Sequence, residues 1–266
     1  MRLYHYVKAD VVKTALNAAG FWVKASHPCE FNDPFECTGG VYGTPPLSLV
    51  EEFYATRPDQ ALVASVHGNM AEYVSKWLWK AFRNRKFLGQ GHRISCFSDA
   101  DGMQKYPGSD VRMWAHYANH GMGLRLEFDT EDVDFPIDTV KYNDKAPILD
   151  LSTVNHLKDL SAFIETCVVT KHKIWTPEQE VRIVFRGPND AVRYDPRIKM
   201  YRWPLPLNCI VEIAVGETLI NSSQVNETVR HIRKAIQGAE QSISIVAATR
   251  NYNTYGLDYT PITLEA

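Results

Sequence analysis

Two glutamates and an arginine stand at alternate positions in the stretch WTPEQEVRIVF, as Glu178, Glu180 and Arg182. Side chains two residues apart on a β-strand point to the same face, so the spacing predicts three ionisable groups side by side on a strand. We assign the apolar face to Val181, Val184 and neighbouring Ile183 and Phe185. The pattern indicates a polar site carried by a sheet. The alternative is an edge strand whose charges face water.

Other candidate groups occur on predicted strands and on one predicted helix. A strand over residues 3–7 carries His5 and Tyr6 on opposite faces, and the strand RISCFSD ends near Ser98. In the helical stretch VRMWAHYANH, Trp114 and Tyr117 are three residues apart and share a face. Aromatic rings beside a polar pocket can stack on flat ligands, although packing under the sheet explains them equally well.

The segment HPCEFNDPFECTGG is predicted to be a loop because it is dense in Asn, Asp, Pro and Gly. Its Asn32, Asp33 and Glu36 could shape the mouth of a cleft or contact an acceptor. A structural role is the alternative, since Asn-Asp-Pro forms a rigid turn through hydrogen bonds from side chain to backbone.

Residues from about 46 to 90 show helical spacing of apolar side chains, Leu62 and Val66 among them, and are predicted to form a helical insertion. Near its end, Trp77 and Trp79 are surrounded by five basic residues: Lys76, Lys80, Arg83, Arg85 and Lys86. Such a mixture can hold a phosphate backbone with stacked bases. A solvated helix face over a buried tryptophan is the alternative.

The composition restricts the class of protein. A chain of 266 residues with 45% apolar content can bury a large core, and we predict a single domain over residues 1–266. A net charge of −2 argues against nucleic-acid binding over the whole surface. Five cysteines without C-x-x-C spacing indicate reduced thiols and a cytoplasmic protein, and no stretch predicts a signal peptide or a membrane partner. Strands outnumber a regular β-α-β alternation, so the predicted fold is α+β, with a split, mostly antiparallel β-sheet core and flanking helices.

Five motifs in order resemble the bacterial domain of unknown function 2971 family. They are LYHY at 3–6, FNDPFE at 31–36, CFS at 96–98, MWAHYANHGMGLRLEFD at 113–129 and K-x-x-x-W-x-x-E-x-E-x-R at 171–182. The resemblance runs from the N-terminus to about residue 216. The layout of these motifs is in turn similar to the ADP-ribosyltransferase superfamily, in which NAD lies in a cleft of a split β-sheet.

The second resemblance implies a role for each candidate. His5 would hydrogen-bond a ribose of NAD, Tyr6 or Tyr117 would stack on nicotinamide, Ser98 would support the cleft, Glu180 would be catalytic and Glu178 would orient the acceptor nucleophile. Arg182 would pair with Glu178 or hold the pyrophosphate. The chain departs from better-known members because CFS replaces a Ser-Thr-Ser triplet and the tyrosine spacing of the diphtheria-like group is missing.

The implied function is an NAD-dependent ADP-ribosyltransferase acting on RNA, DNA or protein, such as a toxin or antiphage effector restrained by an antitoxin or regulatory partner. One alternative is a metal-dependent nuclease with Asp33, Glu178 and Glu180 as cation ligands. Another is a non-catalytic module that binds a nucleotide or a protein in the same cleft.

Overall fold

The computed structural model describes residues 1–60, 69–86, 92–131, 133 and 135–262. The predicted positions Leu62, Val66 and the end of the insertion at 87–90 lie outside the described residues. Sixteen strands are present in this part of the chain: β1 Arg2–Lys8, β2 Leu16–Asn17, β3 Gly20–Lys24, β4 Gly40–Tyr42, β5 Arg93–Asp99, β6 Gly123–Asp129, β7 Ile137–Thr139, β8 Lys141–Asn143, β9 Ile148–Asp150, β10 Thr170–His172, β11 Glu180–Phe185, β12 Arg193–Asp195, β13 Met200–Leu205, β14 Ile210–Gly216, β15 Ser244–Asn251 and β16 Gly256–Pro261.

The α-helices that accompany these strands are α1 Ala9–Ala15, α2 Leu47–Ala55, α3 Met70–Arg83, α4 Ala100–Gln104, α5 Ser109–Tyr117, α6 Leu160–Val168, α7 Glu217–Ile220 and α8 Val225–Ile236. Short 3₁₀ turns join several elements, and the one that matters for the site is Lys173–Glu178. No helix in the described part of the chain is long and apolar enough to cross a bilayer.

Eight strands form one large sheet in the order β16-β15-β14-β6-β1-β5-β11-β7. Every neighbouring pair in it is antiparallel except β14 with β15. The prediction of an α+β fold with a mostly antiparallel sheet is therefore confirmed. A second sheet of order β12-β13-β3-β2 contributes Phe21, Val23, Trp203 and Leu205 to the main hydrophobic core.

The large sheet is open at its centre, between β1 and β5. These strands pair only through Leu3 with Asp99 and Tyr4 with Ser98, whereas β1 pairs with β6 along its whole length, from Arg2 to Lys8. Unpaired backbone beyond Tyr4 leaves room for a cavity between two halves of one sheet.

Cross-strand register decides which face each candidate occupies. Tyr4 stands opposite Ser98, and Ser98 stands opposite Glu180, so these three side chains share one face. His5 lies on the other face with Leu3 and Val7, which belong to the main core beneath α1 and α8. Helices α4 and α5 cover part of the first face, where Met103, Met113 and Trp114 pack on Tyr6.

The predicted insertion builds a hydrophobic core of its own. Helices α2 and α3 pack together and against residues of the strands β4 and β9 and the helix α6. The buried side chains include Leu49, Phe53, Val74, Leu78, Phe82, Leu151 and Phe163.

Two predicted boundaries were wrong. Local rules predict a helix that Asp10 caps, that runs through Ala19 and that Gly20 terminates, but α1 ends at Ala15 because Leu16 pairs with Phe21 in a hairpin. Gly20 has a φ of +135° and approaches another strand so closely that a Cβ would lie 2.0 Å from the Leu205 carbonyl oxygen. The helix carrying Trp114 ends at Tyr117 rather than at His120, since Asn119 and His120 adopt positive φ.

Candidate functional site

A cavity of about 910 Å³ lies where β1 and β5 separate. Ligand pockets in proteins typically enclose about 300–1,000 Å³, so this volume suits a ligand of substantial size. Nine of the residues singled out from the sequence line it: His5, Tyr6, Asn32, Asp33, Glu36, Ser98, Tyr117, Glu178 and Glu180. His5 and Glu180 lie on opposite faces of the sheet, and the cavity reaches both because β1 and β5 are not paired beyond Tyr4.

Glu178 and Glu180 converge, but not as neighbours on one strand. Strand β11 begins at Glu180, while Glu178 ends the 3₁₀ turn before it, so the predicted strand was too long. Gln179 between them adopts a left-handed conformation with φ +44°. This turn directs both carboxylates towards Lys171. Strand β11 is also not an edge strand, since it pairs with β5 on one side and β7 on the other.

The apolar face of β11 was also predicted incorrectly in part. Val181, Ile183 and Phe185 alternate and belong to the main core. Val184 lies on the opposite face, in a small cluster with Cys37, Ile94 and Val168. Strict period-two geometry therefore places Val184 on the side of Glu180 and Arg182.

Lys171, on β10, is the centre of the carboxylate cluster. Its Nζ donates to Glu178 Oε2 at 2.6 Å and to Glu180 Oε2 at 2.7 Å, and it lies 3.8 Å from Glu36 Oε1. Burial acts to lower the pKa of Lys171, but the carboxylates of Glu180, Glu36 and Glu178 outweigh it and raise the pKa. Lys171 is thus a charged ammonium that bridges the two glutamates.

Arg182 is fully buried beneath this cluster. Its Nε donates to Glu180 Oε1 at 2.7 Å, and its other nitrogens donate to Glu36 and to the Val168 carbonyl. The predicted pairing with Glu178 is therefore wrong, and a guanidinium without exposed surface cannot hold a pyrophosphate. Arg182 instead anchors Glu180 and the loop residue Glu36.

This buried cluster contains three carboxylates and two cations. The carboxylates of Glu36, Glu178 and Glu180 pair with Lys171 and Arg182. Burial raises the pKa of Glu180, but Arg182 and Lys171 outweigh it and lower the pKa to about 2. Burial raises the pKa of Glu36, and Arg182 only partly opposes this. At neutral pH Glu180 is consequently an ionised carboxylate and not a proton donor.

Tyr117 links the helix α5 to the cluster. Its hydroxyl donates to Glu178 Oε1 at 2.7 Å, and burial and the charge of Glu178 raise its pKa. Glu178 therefore accepts from Tyr117 on one oxygen and from Lys171 on the other. Tyr117 is 41% exposed, so part of its ring remains available within the cavity.

His5 presents a neutral imidazole. Its Nδ1 lies 3.0 Å from the Cys96 carbonyl oxygen, which can only accept, so Nδ1 carries the proton and Nε2 is an acceptor. Burial lowers the pKa of His5 to about 4 despite this hydrogen bond. Within the described residues, Nε2 has no hydrogen-bond partner.

We expect His5 to make stability depend on pH. The unfolded chain takes up a proton near pH 6.5, while the folded ring stays neutral to about pH 4, so stability falls as the pH drops through this window. The difference between these two pKa values corresponds to about 3 kcal/mol. Urea unfolding at pH 7 and pH 4 should therefore show a smaller loss for His5→Asn than for the unaltered protein. Equal losses in the two proteins would contradict a half-buried imidazole that stays neutral.

Tyr6 and Trp114 support the wall of the cavity. The Tyr6 hydroxyl donates to Asp110 Oδ1 at 2.6 Å, and its ring packs edge-on against Trp114 at 5.7 Å between centroids. Trp114 is 5% exposed, donates to the Tyr259 hydroxyl and is absent from the cavity wall. The prediction that Trp114 contacts a cofactor is therefore not supported by its position.

Ser98 and the loop over residues 31–36 complete the wall. Ser98 is nearly buried on the row that contains Glu180. Asp33 accepts from Trp175 Nε1 at 3.0 Å and from the Phe35 backbone N–H at 2.9 Å, and Asn32 is exposed at the mouth. Asp33 therefore has the structural role in a rigid turn that was the alternative, and it also lines the cavity.

Arg85 fixes the same loop from behind. Its guanidinium donates to the carbonyl oxygens of Pro28 at 2.8 Å, Phe31 at 3.1 Å and Asp33. Arg85 is buried, so its predicted contribution to a phosphate-binding surface is wrong. Lys171 was assigned no role from the sequence, although it opens the K-x-x-x-W-x-x-E-x-E-x-R motif.

Asp33, Glu178 and Glu180, the cation ligands of the nuclease alternative, do not form a metal site of the kind a nuclease needs. Across the described ranges, no three His, Cys, Asp or Glu side chains are grouped so that they could share a metal ion. Between Glu178 and Glu180, the position a cation would take is held by Lys171 Nζ. Asp33, the third proposed ligand, is engaged by Trp175.

Comparisons with models of protein families, with curated proteins and with solved structures found no match to this chain. The resemblances to the domain of unknown function 2971 family and to ADP-ribosyltransferases stay predictions.

Proposed function

We propose that this protein cleaves the bond between nicotinamide and ribose in NAD and transfers ADP-ribose to a macromolecular acceptor. The observation that carries the proposal is the convergence of His5, Ser98 and Glu180 on one large cavity at the opening of a mostly antiparallel sheet. These residues come from three strands, and their shared cavity arises from the opening between β1 and β5.

The charge of the cluster suits this reaction. As nicotinamide leaves, positive charge grows at the anomeric carbon of ribose, and a fixed carboxylate stabilises that charge more than it stabilises the substrate. Glu180 stays ionised because Arg182 and Lys171 hold its pKa at about 2 against the effect of burial. The cluster contains one more carboxylate than cations, so a further positive charge on the ribose would be balanced there.

The other side chains bind and orient. His5 Nε2 can accept a hydrogen bond from a ribose hydroxyl, and the exposed part of the Tyr117 ring can stack on nicotinamide. Glu178, held by Tyr117 and Lys171, would orient the acceptor. The acceptor nucleophile bonds to the anomeric carbon as the carbon–nitrogen bond breaks; nicotinamide leaves with the electron pair, and the acceptor proton passes to solvent.

We expect NAD to raise the melting temperature and nicotinamide to be released. A ligand that binds only the folded state stabilises it by about 2.7 kcal/mol at 100 times its Kd. Thermal unfolding with NAD, with ADP-ribose and with Mg²⁺ alone, followed by chromatography of nicotinamide, tests the proposal. A response to Mg²⁺ without any response to NAD would refute it and favour the nuclease.

A nucleotide-binding module is the second candidate, and a specific observation favours it. Each oxygen of Glu178 and Glu180 already has a hydrogen-bonding partner within the protein. Stabilisation by NAD without release of nicotinamide would identify a binder. None of the five cysteines, all of which lie within the described residues, forms a disulfide. A cytoplasmic location belongs to this proposal as well.

A further inference from the structure

The helix α3 presents a row of cations on its exposed side. Lys76, Lys80 and Arg83 follow one another at spacings of four and three residues, so they form one stripe, and all three are exposed. Lys86 lies just beyond the end of the helix and is also exposed. The only acidic residue of α3 is Glu72, which pairs with Lys76 at the start of the stripe.

Trp79 lies beside this stripe, and packing in the hydrophobic core does not explain an aromatic residue at this position. The apolar face of α3 is formed by Val74, Leu78, Ala81 and Phe82, whereas Trp79 is 43% exposed. The Arg83 guanidinium stacks over its ring, 4.9 Å from the centroid. An exposed indole under a guanidinium is a platform on which a nucleobase can stack.

A groove of about 360 Å³ lies along the same helix. Lys76 and Lys80 line it, together with Asn69, Glu72, Tyr73 and Trp77. The groove therefore combines two cations of the stripe with two aromatic side chains. Since the whole chain carries a net charge of −2, this concentration of positive charge is local and is suited to a polyanion.

The stripe leads towards the cavity. Just after α3 ends, Arg85 donates to three carbonyl oxygens of residues 28–33, and Cys29 Sγ lies 3.6 Å from the Asn84 carbonyl oxygen. Phe31 and Asp33 of that segment line the cavity. A polymer bound along α3 would thus reach the cavity wall at the C-terminal end of the helix.

We propose that single-stranded nucleic acid docks on α3, with its phosphates on Lys76, Lys80 and Arg83 and a base on Trp79. The phosphate backbone matches the row of cations, and an unpaired strand supplies the free base face that stacking requires. This inference rests on the proposed function in one respect, which is that the docked nucleic acid is the acceptor of ADP-ribose. Docking itself is measured without NAD.

Fluorescence anisotropy with labelled oligothymidine and oligouridine tests the docking. We expect Trp79→Ala to weaken binding about 5- to 150-fold, as loss of one stacked base does. The triple variant Lys76→Ala/Lys80→Ala/Arg83→Ala should weaken binding and reduce the slope of log affinity against log salt by about 2, since three phosphate contacts are lost. A preference between the two oligonucleotides identifies DNA or RNA, and a duplex of the same length should bind less tightly.

The helix α8 offers a matched control. Arg230→Ala/Arg233→Ala/Lys234→Ala also removes three exposed cations from one helix but leaves α3 intact. This variant should bind like the unaltered protein. Equal weakening by both triple variants, or unchanged binding by Trp79→Ala, would overturn the proposal, with melting temperatures confirming that each variant is folded.

Nicotinamide release without nucleic acid separates this inference from the proposed function. The α3 variants should retain it, because none of the altered residues lines the cavity. Normal release with lost oligonucleotide binding supports both proposals. Oligonucleotide binding that depends on α3, in a protein that never releases nicotinamide, would support the docking surface while refuting the transferase.

Discussion

Lys171→Met is expected to destabilise the folded protein by about 3–5 kcal/mol, the usual loss when one partner of a buried ion pair is removed. Lys171 Nζ is the shared donor to Glu178 and Glu180, and all three side chains are about 95% buried. Methionine fills a similar volume but leaves the two carboxylates facing each other. Urea unfolding at pH 7 measures the difference in free energy.

The pH dependence of this loss identifies its cause. Without the ammonium, Arg182 still pairs with Glu180, but the buried Glu178 keeps only the Tyr117 hydroxyl as a partner and faces the charge of Glu180, which disfavours its ionised form. The protonated form is then favoured in the folded variant, so its deficit should shrink as the pH falls towards 5 and grow as the pH rises. A deficit that stays constant with pH would point to packing instead of charge.

Lys173→Met is the matched control for Lys171→Met. Lys173 also pairs with a carboxylate, Asp144, at 2.6 Å, but both side chains are more than half exposed. Solvent screens such pairs, so we expect little change in stability. Adding Glu178→Gln to Lys171→Met should restore part of the lost stability, because it removes one uncompensated charge. A double variant less stable than Lys171→Met would contradict this account.

Glu180→Gln is expected to slow nicotinamide release about 100- to 1,000-fold. This corresponds to about 2.7–4 kcal/mol, the typical loss when one preorganised electrostatic contact to a transition state is removed. An amide keeps the shape of the side chain but not the negative charge that would stabilise the developing cation. Initial rates at saturating NAD, measured below the melting temperature of the variant, give the change in kcat.

The structure also predicts an effect of Glu180→Gln on the stability of the fold. Glu180 is the shared partner of Lys171 and Arg182, so the neutral amide leaves two buried cations with less compensation. We expect a loss of stability as well. Glu217→Gln is the control, because Glu217 also pairs with an arginine but lies far along the chain and outside the cavity wall. A folded Glu180→Gln variant that releases nicotinamide at the unaltered rate would remove Glu180 from the mechanism.

Much of the site was predictable because it depends on local periodicity. The strand RISCFSD, the strand around His5 and the strand after Pro177 were identified from alternation, and all are members of the large sheet. Glu180 and Arg182 share a face, as strand geometry requires. The same rule misplaced Glu178, because the strand begins only at Glu180. Gln179, directly before it, adopts a left-handed conformation, and Glu178 belongs to the preceding 3₁₀ turn.

The partners of Glu178 and Glu180 were beyond local rules. Tyr117 reaches Glu178 from 61 residues away, and Glu36 reaches Arg182 from 146 residues away. Lys171 is close to them in sequence, but a 3₁₀ turn separates β10 from β11. Side-chain periodicity within one strand therefore could not predict that Lys171 contacts both glutamates. Helical spacing also did not determine that Trp79 on α3 is exposed, while Arg85, two residues beyond the end of the helix, is buried.

The sequence alone determined which residues alternate, which elements they form and that a large mostly antiparallel sheet would be built, since side-chain periodicity and burial of apolar surface act over a few residues at a time. Only the tertiary structure decided that β1 and β5 separate after two pairs, that a cavity opens there and that Lys171 joins the two glutamates. The reason is that a buried charge is held by partners that are close in space, and those partners come from distant segments that only the packing of the folded chain brings together.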